Sequence, residues 1–544
     1  MTRVTPMRAA GSRPRVLVRL PNWIGDAIMA APALQILAAS RAIDLQLVGL
    51  AATLDLFSGF DEPFHLARPL TRSGGKVRGL ITSACELRPL GFDAALVLPP
   101  SFSAALHAWV VGAPRRVGWA TEARRALLTH APEQPARSVH LREQYGALAG
   151  ALAEQLVGST LAAASGPRLP LRAEELVAAD RTWTELGFVP GGTIAVAPGA
   201  TYGATKRWPE ERFVDLARGL QQDGWDLLWI GGAEERPLCD RLVAATAPNG
   251  PGRSVSRAGR DGLRATLALL SSVRAAISND SGAMHLAQAA GAPVVGIYGS
   301  TAPEWTGPVG DEAEVVRHPV HCSPCFARTC PTAIECLTGI QTSEVRAAVD
   351  RLCARPRPKG RPALFVDRDG TLLEFVDYLA RPEEVQLAPG AAAALRRIRA
   401  GGFAIVVVTN QSLIARGRLD RAGLAAVHRR MEALLAEEGV ELDGIEICPH
   451  HPDFGGPCAC RKPEPGLLRR AAHRHALDLS RSVMLGDSWS DLEAGANAGA
   501  RPVLIASGYG PESAARLAAA GGRVRDVEAW TVSDWSELAQ RLMG

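Results

Sequence analysis

Two carboxylates, Asp367 and Asp369, stand at i and i+2 just past the apolar run Ala363–Val366. The end of such a run is where α/β sheets place ligands. A carboxylate pair there can divide the work of phosphoryl transfer. One attacks phosphorus and carries the phosphoryl group; the other protonates the leaving oxygen and later activates water. Three further pieces follow in order: Thr409-Asn410 closing a second apolar run, Arg461-Lys462-Pro463, and Gly486-Asp487 with Asp491 four residues on. A hydroxyl and an ammonium suit phosphoryl oxygens. A further carboxylate suits Mg²⁺, which takes few carboxylates and keeps most of its waters. A lone Asp-x-Asp is more often a capped turn, but four pieces in this order at strand ends point to chemistry.

Other groups have ligand-like spacing. Cys448-x-His450 followed by Cys458-x-Cys460 offers four ligands for tetrahedral Zn²⁺, with every position filled by protein, so the expected site is structural. His451 competes with His450. Cys322, Cys325, Cys330 and Cys336 form a second cluster that suits Zn²⁺, an iron–sulfur cluster or plain thiols, and the spacing does not choose among them.

Earlier in the chain, Gly25-Asp26 lies between a strand-like and a helix-like segment. Glycine lets backbone approach a ligand closely, and Asp26 would stand at the mouth of a cleft, placed for a general base; the alternative is a helix cap. Ala197–Thr201 and Lys206 make a small-residue turn with an ammonium, suited to a diphosphate. Asn279–His285 turns from strand to helix, and free N–H groups there make an anion site. A plain turn capped by Asp280 or Ser281 is the alternative. Only four of the sixty basic residues are Lys, and two, Lys206 and Lys462, fall in these motifs, where a compact ammonium differs from a guanidinium fork.

The elements that must position these groups alternate. Strands are expected at Val16–Leu20, Leu45–Leu50, Ala94–Leu98, Thr193–Ala197, Trp225–Gly231, Ala275–Ser278 and Pro293–Tyr298, and helices at Ala27–Ala39, Glu210–Gln222, Gly262–Val273 and Gly282–Ala290. That alternation implies parallel sheets covered by helices. The Pro-rich, basic Ala354–Pro362 reads as a linker, and a third α/β block opens at Ala363.

The 544 residues suggest three or four domains. Apolar residues at 47% and charged residues at 21% exclude disorder, collagen and coiled coil as descriptions of the whole. A net charge of +4 is no nucleic-acid footprint. No apolar run reaches membrane-spanning length and no secretory leader is evident, so a cytoplasmic location is expected, with ten cysteines serving as thiols or metal ligands and not as a disulfide framework.

The C-terminal stretches DRDGTL (367–372), VVVTNQS (406–412), IARG (414–417), CPHHP (448–452), CACRKPEPG (458–466) and GDSWSDLEAG (486–495) resemble the haloacid dehalogenase (HAD) phosphatase superfamily, in particular its heptose 1,7-bisphosphate 7-phosphatases. The resemblance implies Asp367 as nucleophile and Asp369 as general acid/base. It implies Thr409, Asn410 and Lys462 on phosphate, Arg416 and Arg461 on the substrate side, and Mg²⁺ on Asp367, Asp369 and Asp487. Histidinol-phosphate phosphatases share these features and are the alternative. LPNWIGDAIMAAPAL (20–34), VLPPSF (97–102), RRVGW (115–119), APGATYGATKRWPEERF (197–213) and SNDSGAMHLAQAAG (278–291) resemble the lipopolysaccharide heptosyltransferases of glycosyltransferase family 9, which have the GT-B fold. This implies an inverting transfer with Asp26 as base, Thr201 and Lys206 on the donor diphosphate, and Asp280, Ser281, Gly282 and His285 on the ADP-sugar. The first Asp-x-Asp is at Asp367, which fits a metal-independent transferase.

The expected class is therefore α/β: a GT-B transferase of two Rossmann-like domains (14–175 and 176–353), a linker (354–362), a HAD-like phosphatase (363–508) and an unassigned appendix (509–544). The expected partners are ADP-heptose, a heptosyl lipid A core acceptor and heptose bisphosphate, with peripheral contact to the inner membrane and none with nucleic acid. Arg8, Arg13, Arg15, Arg115, Arg116, Arg124 and Arg125 could form a basic face toward anionic lipid. Rival readings are a heptosyltransferase with another acceptor and a non-catalytic scaffold, the latter opposed by the complete sets of polar residues.

Overall fold

The computed structural model describes residues 13–40, 42–60, 64–66, 70, 76–158, 166–246, 250–356 and 360–544. The chain divides into two compact units. One holds Met1–Leu169 with Trp183–Arg355, and the other Pro170–Thr182 with Pro356–Gly544.

The first unit contains two parallel sheets, the two Rossmann-like blocks expected. β1 (Arg15–Arg19), β2 (Asp44–Val48), β3 (Phe64–Leu66), β4 (Ala94–Val97) and β5 (Arg115–Gly118) form one, in the order β3-β2-β1-β4-β5. β6 (Thr193–Ala197), β7 (Asp226–Trp229), β8 (Ser254–Ser256), β9 (Ala275–Asn279), β10 (Val294–Tyr298) and β11 (Ala313–Arg317) form the other, in the order β11-β10-β9-β6-β7-β8. β4, β6, β9 and β10 are buried along their whole length, which is why they read as unbroken apolar runs without alternation. The strand order reverses at β1/β4 and at β6/β9, and such switch points open a crevice beyond the carboxyl ends. Helix α1 (Ile24–Ala39) leaves β1 at the first switch point.

The second unit has one parallel sheet. β12 (Ala363–Val366), β13 (Ala404–Asn410), β14 (Gly444–Cys448), β15 (Val483–Gly486) and β16 (Arg501–Ile505) are followed by a small hairpin, β17 (Arg523–Val524) with β18 (Val527–Glu528), and by β19 (Trp530–Val532). The sheet order is β14-β13-β12-β15-β16-β19, with its switch at β12/β15.

Two expected boundaries shift. The appendix after 508 is part of the second unit: β19 adds the outer strand beside β16, and Val532, Trp535 and Leu538 enter the same core as Leu364, Val366 and Leu395. The inter-lobe boundary at 175/176 is not observed. Helix α2 (Ala173–Leu186) begins within the second unit, since Pro170–Thr182 groups there. Ala173 is fully buried among Phe365, Cys448, Cys460 and Leu467, and Asp180 pairs with Arg469 at 2.5 Å. A Cβ on Gly466 would stand 2.7 Å from that of Ala173, so both small residues are needed for the close approach.

The basic face is also revised. Arg124 is fully buried and donates to the carbonyls of Trp119, Pro99 and Ser101, and Arg15 pairs with Asp44. Arg13, Arg115 and Arg125 are exposed, Arg116 is half-buried, and Arg8 lies outside the described residues. Among the described residues no helix is long and apolar enough to cross a membrane.

Candidate active sites

In the first unit the β1–α1 turn carries Asp26 into the first turn of α1. Burial pushes its carboxyl up to about 6; Lys206 opposes the rise and Asp280 adds to it. β6 and β9 are neighbours, so the segments that follow them emerge side by side. Lys206 Nζ donates to Asp280 Oδ2 at 2.5 Å, and Thr301 Oγ1 donates to the same oxygen at 2.5 Å. Asn279 ties the two segments together, donating to Pro198 O and accepting from Trp208 N.

Helix α3 (Glu210–Gln222) continues the first segment and α4 (Gly282–Ala290) the second. The N-cap of α4, Ser281, makes no side-chain cap bond, and Asp280 is engaged by Lys206 and Thr301. The reading as a plain capped turn therefore fails, and the helix start keeps free N–H groups for an anion. His285 is buried, neutral (held down to about 4 by burial), and its Nδ1 has no partner. Its ring rests on Gly25, where a Cβ would meet Cδ2 at 2.6 Å. Glycine is required there for packing. Asp26, Lys206, Asp280 and His285 thus come together, while Thr201 is exposed in the turn after β6.

The Cys322–Cys336 segment is not among the groups whose ligand atoms lie within 4.8 Å of one another. Its backbone props the loop after β6: Tyr202 and Thr205 donate to the carbonyls of Phe326 and Ala327, each at 2.6 Å.

In the second unit, Asp367 follows β12 and Asp487 follows β15, again at the switch. Lys462, almost wholly buried, donates from Nζ to Asp367 at 2.6 Å and to the Val408 carbonyl at 2.9 Å, and pairs with Asp491 at 2.6 Å. Burial pushes the Asp367 carboxyl upward while Lys462 pulls it down. Lys462 keeps its proton: burial works against the charge, and the two carboxylates more than offset it. One oxygen each of Asp367, Asp487 and Asp491 lie within 4.8 Å of one another, a donor set of hard oxygens suited to Mg²⁺. Asp369, expected as a ligand, is not in this group. Its carboxylate takes donors from Arg368 and Gln411, and Asp491 stands with Asp367 and Asp487 instead. Cβ atoms on Gly370 and Gly508, both at positive φ, would crowd Asp487 at 2.7 and 2.0 Å.

Asn410 exchanges two bonds with the Lys462 backbone, and Thr409 Oγ1 accepts from Gln411. Arg461 Nη1 donates to His450 O, and Arg416 bonds His451. His451 is the cap of a short helical turn and is not a metal candidate. His450 is: its Nδ1 stands 3.2 Å from Cys460 Sγ and 3.7 Å from Cys448 Sγ, and the three sulfurs are 3.4–3.6 Å apart. Ligand bonds of about 2.0–2.3 Å in a tetrahedron put donors roughly 3.3–3.8 Å apart, so the set fits Zn²⁺ without rearrangement. Arg368 and Gln411 were visible inside DRDG and TNQS, but nothing in their spacing separates them from spacer residues.

Comparison with known proteins adds to this geometry. Residues 83–334 match the family model "Glycosyltransferase family 9 (heptosyltransferase)", and residues 459–527 a HAD-hydrolase-like model. The solved ADP-heptose lps heptosyltransferase II of E. coli is 26% identical, covering 62% of this chain and 98% of that chain with a TM-score of 0.52. A D-glycero-beta-D-manno-heptose-1,7-bisphosphate 7-phosphatase from Pseudomonas aeruginosa is 43% identical over 151 residues, 28% of this chain and 84% of the relative. Its counterpart from E. coli K12 is 41% identical over 157 residues, 28% of this chain and 82% of the relative.

Proposed function

The chain belongs, through its C-terminal block, to the D-glycero-beta-D-manno-heptose-1,7-bisphosphate 7-phosphatase family and carries a glycosyltransferase family 9 heptosyltransferase domain ahead of it, and from that premise we propose how this bifunctional enzyme of lipopolysaccharide heptose biosynthesis works. The transferase moves heptose from ADP-L-glycero-D-manno-heptose to a heptosyl lipid A core acceptor, with inversion and without a metal. Asp26 takes the proton of the acceptor hydroxyl as its oxygen attacks C1 of the donor. Lys206 and the open start of α4 hold the diphosphate and stabilise it as it leaves. The Lys206–Asp280 pair has to rearrange when the diphosphate arrives. Contact with the cytoplasmic face of the inner membrane would use exposed cations such as Arg115 and Arg125.

The phosphatase cleaves the 7-phosphate of heptose 1,7-bisphosphate, with the β anomer preferred. Asp367 attacks phosphorus and forms an aspartyl-phosphate; Asp369 protonates the departing C7 oxygen and then takes a proton from the attacking water. Lys462 neutralises phosphoryl oxygens. Asp367, Asp487 and Asp491 would hold Mg²⁺, which would offset charge on the phosphoryl group. Cys448, His450, Cys458 and Cys460 would hold a structural Zn²⁺ beside Arg461 and Lys462.

The observation that carries the reading is the Asp367–Lys462–Asp491 arrangement at the sheet switch, in a segment 43% identical to a heptose bisphosphate phosphatase. The test offers the full chain both anomers of heptose 1,7-bisphosphate and histidinol phosphate, and separately ADP-heptose with the core acceptor. Phosphate release from heptose bisphosphate and heptose transfer are expected. Preference for histidinol phosphate would overturn the phosphatase substrate, and failure to use ADP-heptose would overturn the donor.

A further inference from the structure

We propose that Arg368 is the positioning residue for the proton-transfer carboxylate Asp369 and that His428 holds Arg368 in place, an inference that rests on the phosphatase reading above. Arg368 stands between the two working carboxylates and its side chain is 1% exposed. It does not pair with the nucleophile, which Lys462 already engages. Its fork turns to its neighbour: Nε donates to Asp369 Oδ1 and Nη2 to Oδ2, both at 2.9 Å. Nη1 lies 3.1 Å from His428 Nε2 on helix α5 (Arg421–Glu437). A guanidinium has only donors, so this ring nitrogen is the acceptor. Gln411 Nε2 adds a third donor, 2.9 Å from Asp369 Oδ2.

A two-point fork sets the plane of a carboxylate, which one cation on a flexible stem cannot do. Asp369 needs that plane. It precedes Gly370 at positive φ in an irregular turn, and it must face first the leaving oxygen and then water. In the first half-reaction a bond forms between Asp367 and phosphorus while the bond from phosphorus to the C7 oxygen breaks. The Asp369 proton passes to that oxygen and the carboxylate remains in the fork. In the second, Asp369 takes a proton from water as the water oxygen attacks phosphorus, which frees Asp367 and inorganic phosphate.

The signature of such a role is dependence on the leaving group. A sugar alkoxide leaves only with a proton, whereas p-nitrophenolate leaves without one. kcat/KM of the full-length enzyme is therefore compared for heptose 1,7-bisphosphate and p-nitrophenyl phosphate. With proton transfer contributing about 10²–10⁴-fold, Arg368→Met should lower the sugar-phosphate value roughly 100-fold and the aryl value less than about fivefold. His428→Phe should show the same split to a smaller extent. His428→Gln, which keeps an acceptor for the guanidinium, should recover most of the sugar-phosphate rate. The histidine pair decides the matter even if Arg368→Met does not fold. Equal losses on the two substrates, or no loss on either, would overturn the role of Arg368. A wild-type enzyme that releases phosphate from neither ester would overturn the phosphatase reading instead.

Discussion

At the scale of single residues, burial sets the chemistry. Asp26 is raised to about 6, with burial the leading cause, and a base works only when deprotonated. Transferase kcat/KM should therefore be level near pH 7.5 and fall about tenfold per unit below about pH 6. A rate–pH profile flat down to pH 5 would remove Asp26 from the proton transfer. Asp26→Asn should cost transfer about 10²–10⁴-fold and leave phosphate release unchanged, measured on one preparation. Gly25 gives a second test, because its role is space. A Cβ there would meet His285 at 2.6 Å, so Gly25→Ala should cut transfer at least tenfold, and retention of full transfer would show that the ring can move aside. The types of these residues were legible in the sequence. Their partners were not: nothing in the spacing says that Lys206 faces Asp280 or that His285 rests on Gly25, because those contacts join segments 74 and 260 residues apart.

At the scale of elements, the start of α2 and the Cys448–Cys460 loop belong together. The first residue of α2, Ala173, is buried beside Cys448 and Cys460. Ala173→Leu would overpack this contact, at a typical cost of about 1–3 kcal/mol, so phosphatase activity should be lost on heating several degrees earlier than in wild type. An unchanged inactivation temperature would show that the helix start is not part of that core. Cys458→Ser should remove about one Zn²⁺ per chain relative to wild type and lower thermal stability with it, because structural zinc contributes folding energy. Metal analysis of both proteins checks this, and equal zinc contents would overturn the site. The clustering of Cys448, His450, Cys458 and Cys460 was legible because two paired arms are a local pattern. The seat of α2 was not, since a small residue at a helix start carries no mark of what will cover it.

At the scale of the whole molecule, two chemistries share one chain but not one intermediate. On the proposed reading the phosphatase would release a heptose phosphate and the transferase would consume a heptose joined to ADP, so adenylyl transfer would have to intervene and direct passage between the sites is not expected. The activities should also separate by metal. Heptose transfer should survive EDTA while phosphate release stops and returns with added Mg²⁺. Phosphate release that resists EDTA would remove Asp367, Asp487 and Asp491 as a metal site, and loss of transfer restored by Mg²⁺ would overturn the metal-independent assignment.

The sequence by itself determined the α/β class, the tandem of transferase and phosphatase, and the polar residue types that meet at the strand switches. Those properties are written locally, in apolar runs, in turns at strand ends and in ligand spacings of a few residues. Tertiary structure alone decided that Asp491 and not Asp369 stands with Asp367 and Asp487, that Arg124 is interior, that 170–182 groups with the phosphatase, and that the last residues complete its sheet. Each of those depends on which distant segments pack together, and burial, which is the leading cause of the raised Asp26 and Asp367 carboxyls, exists only once they do.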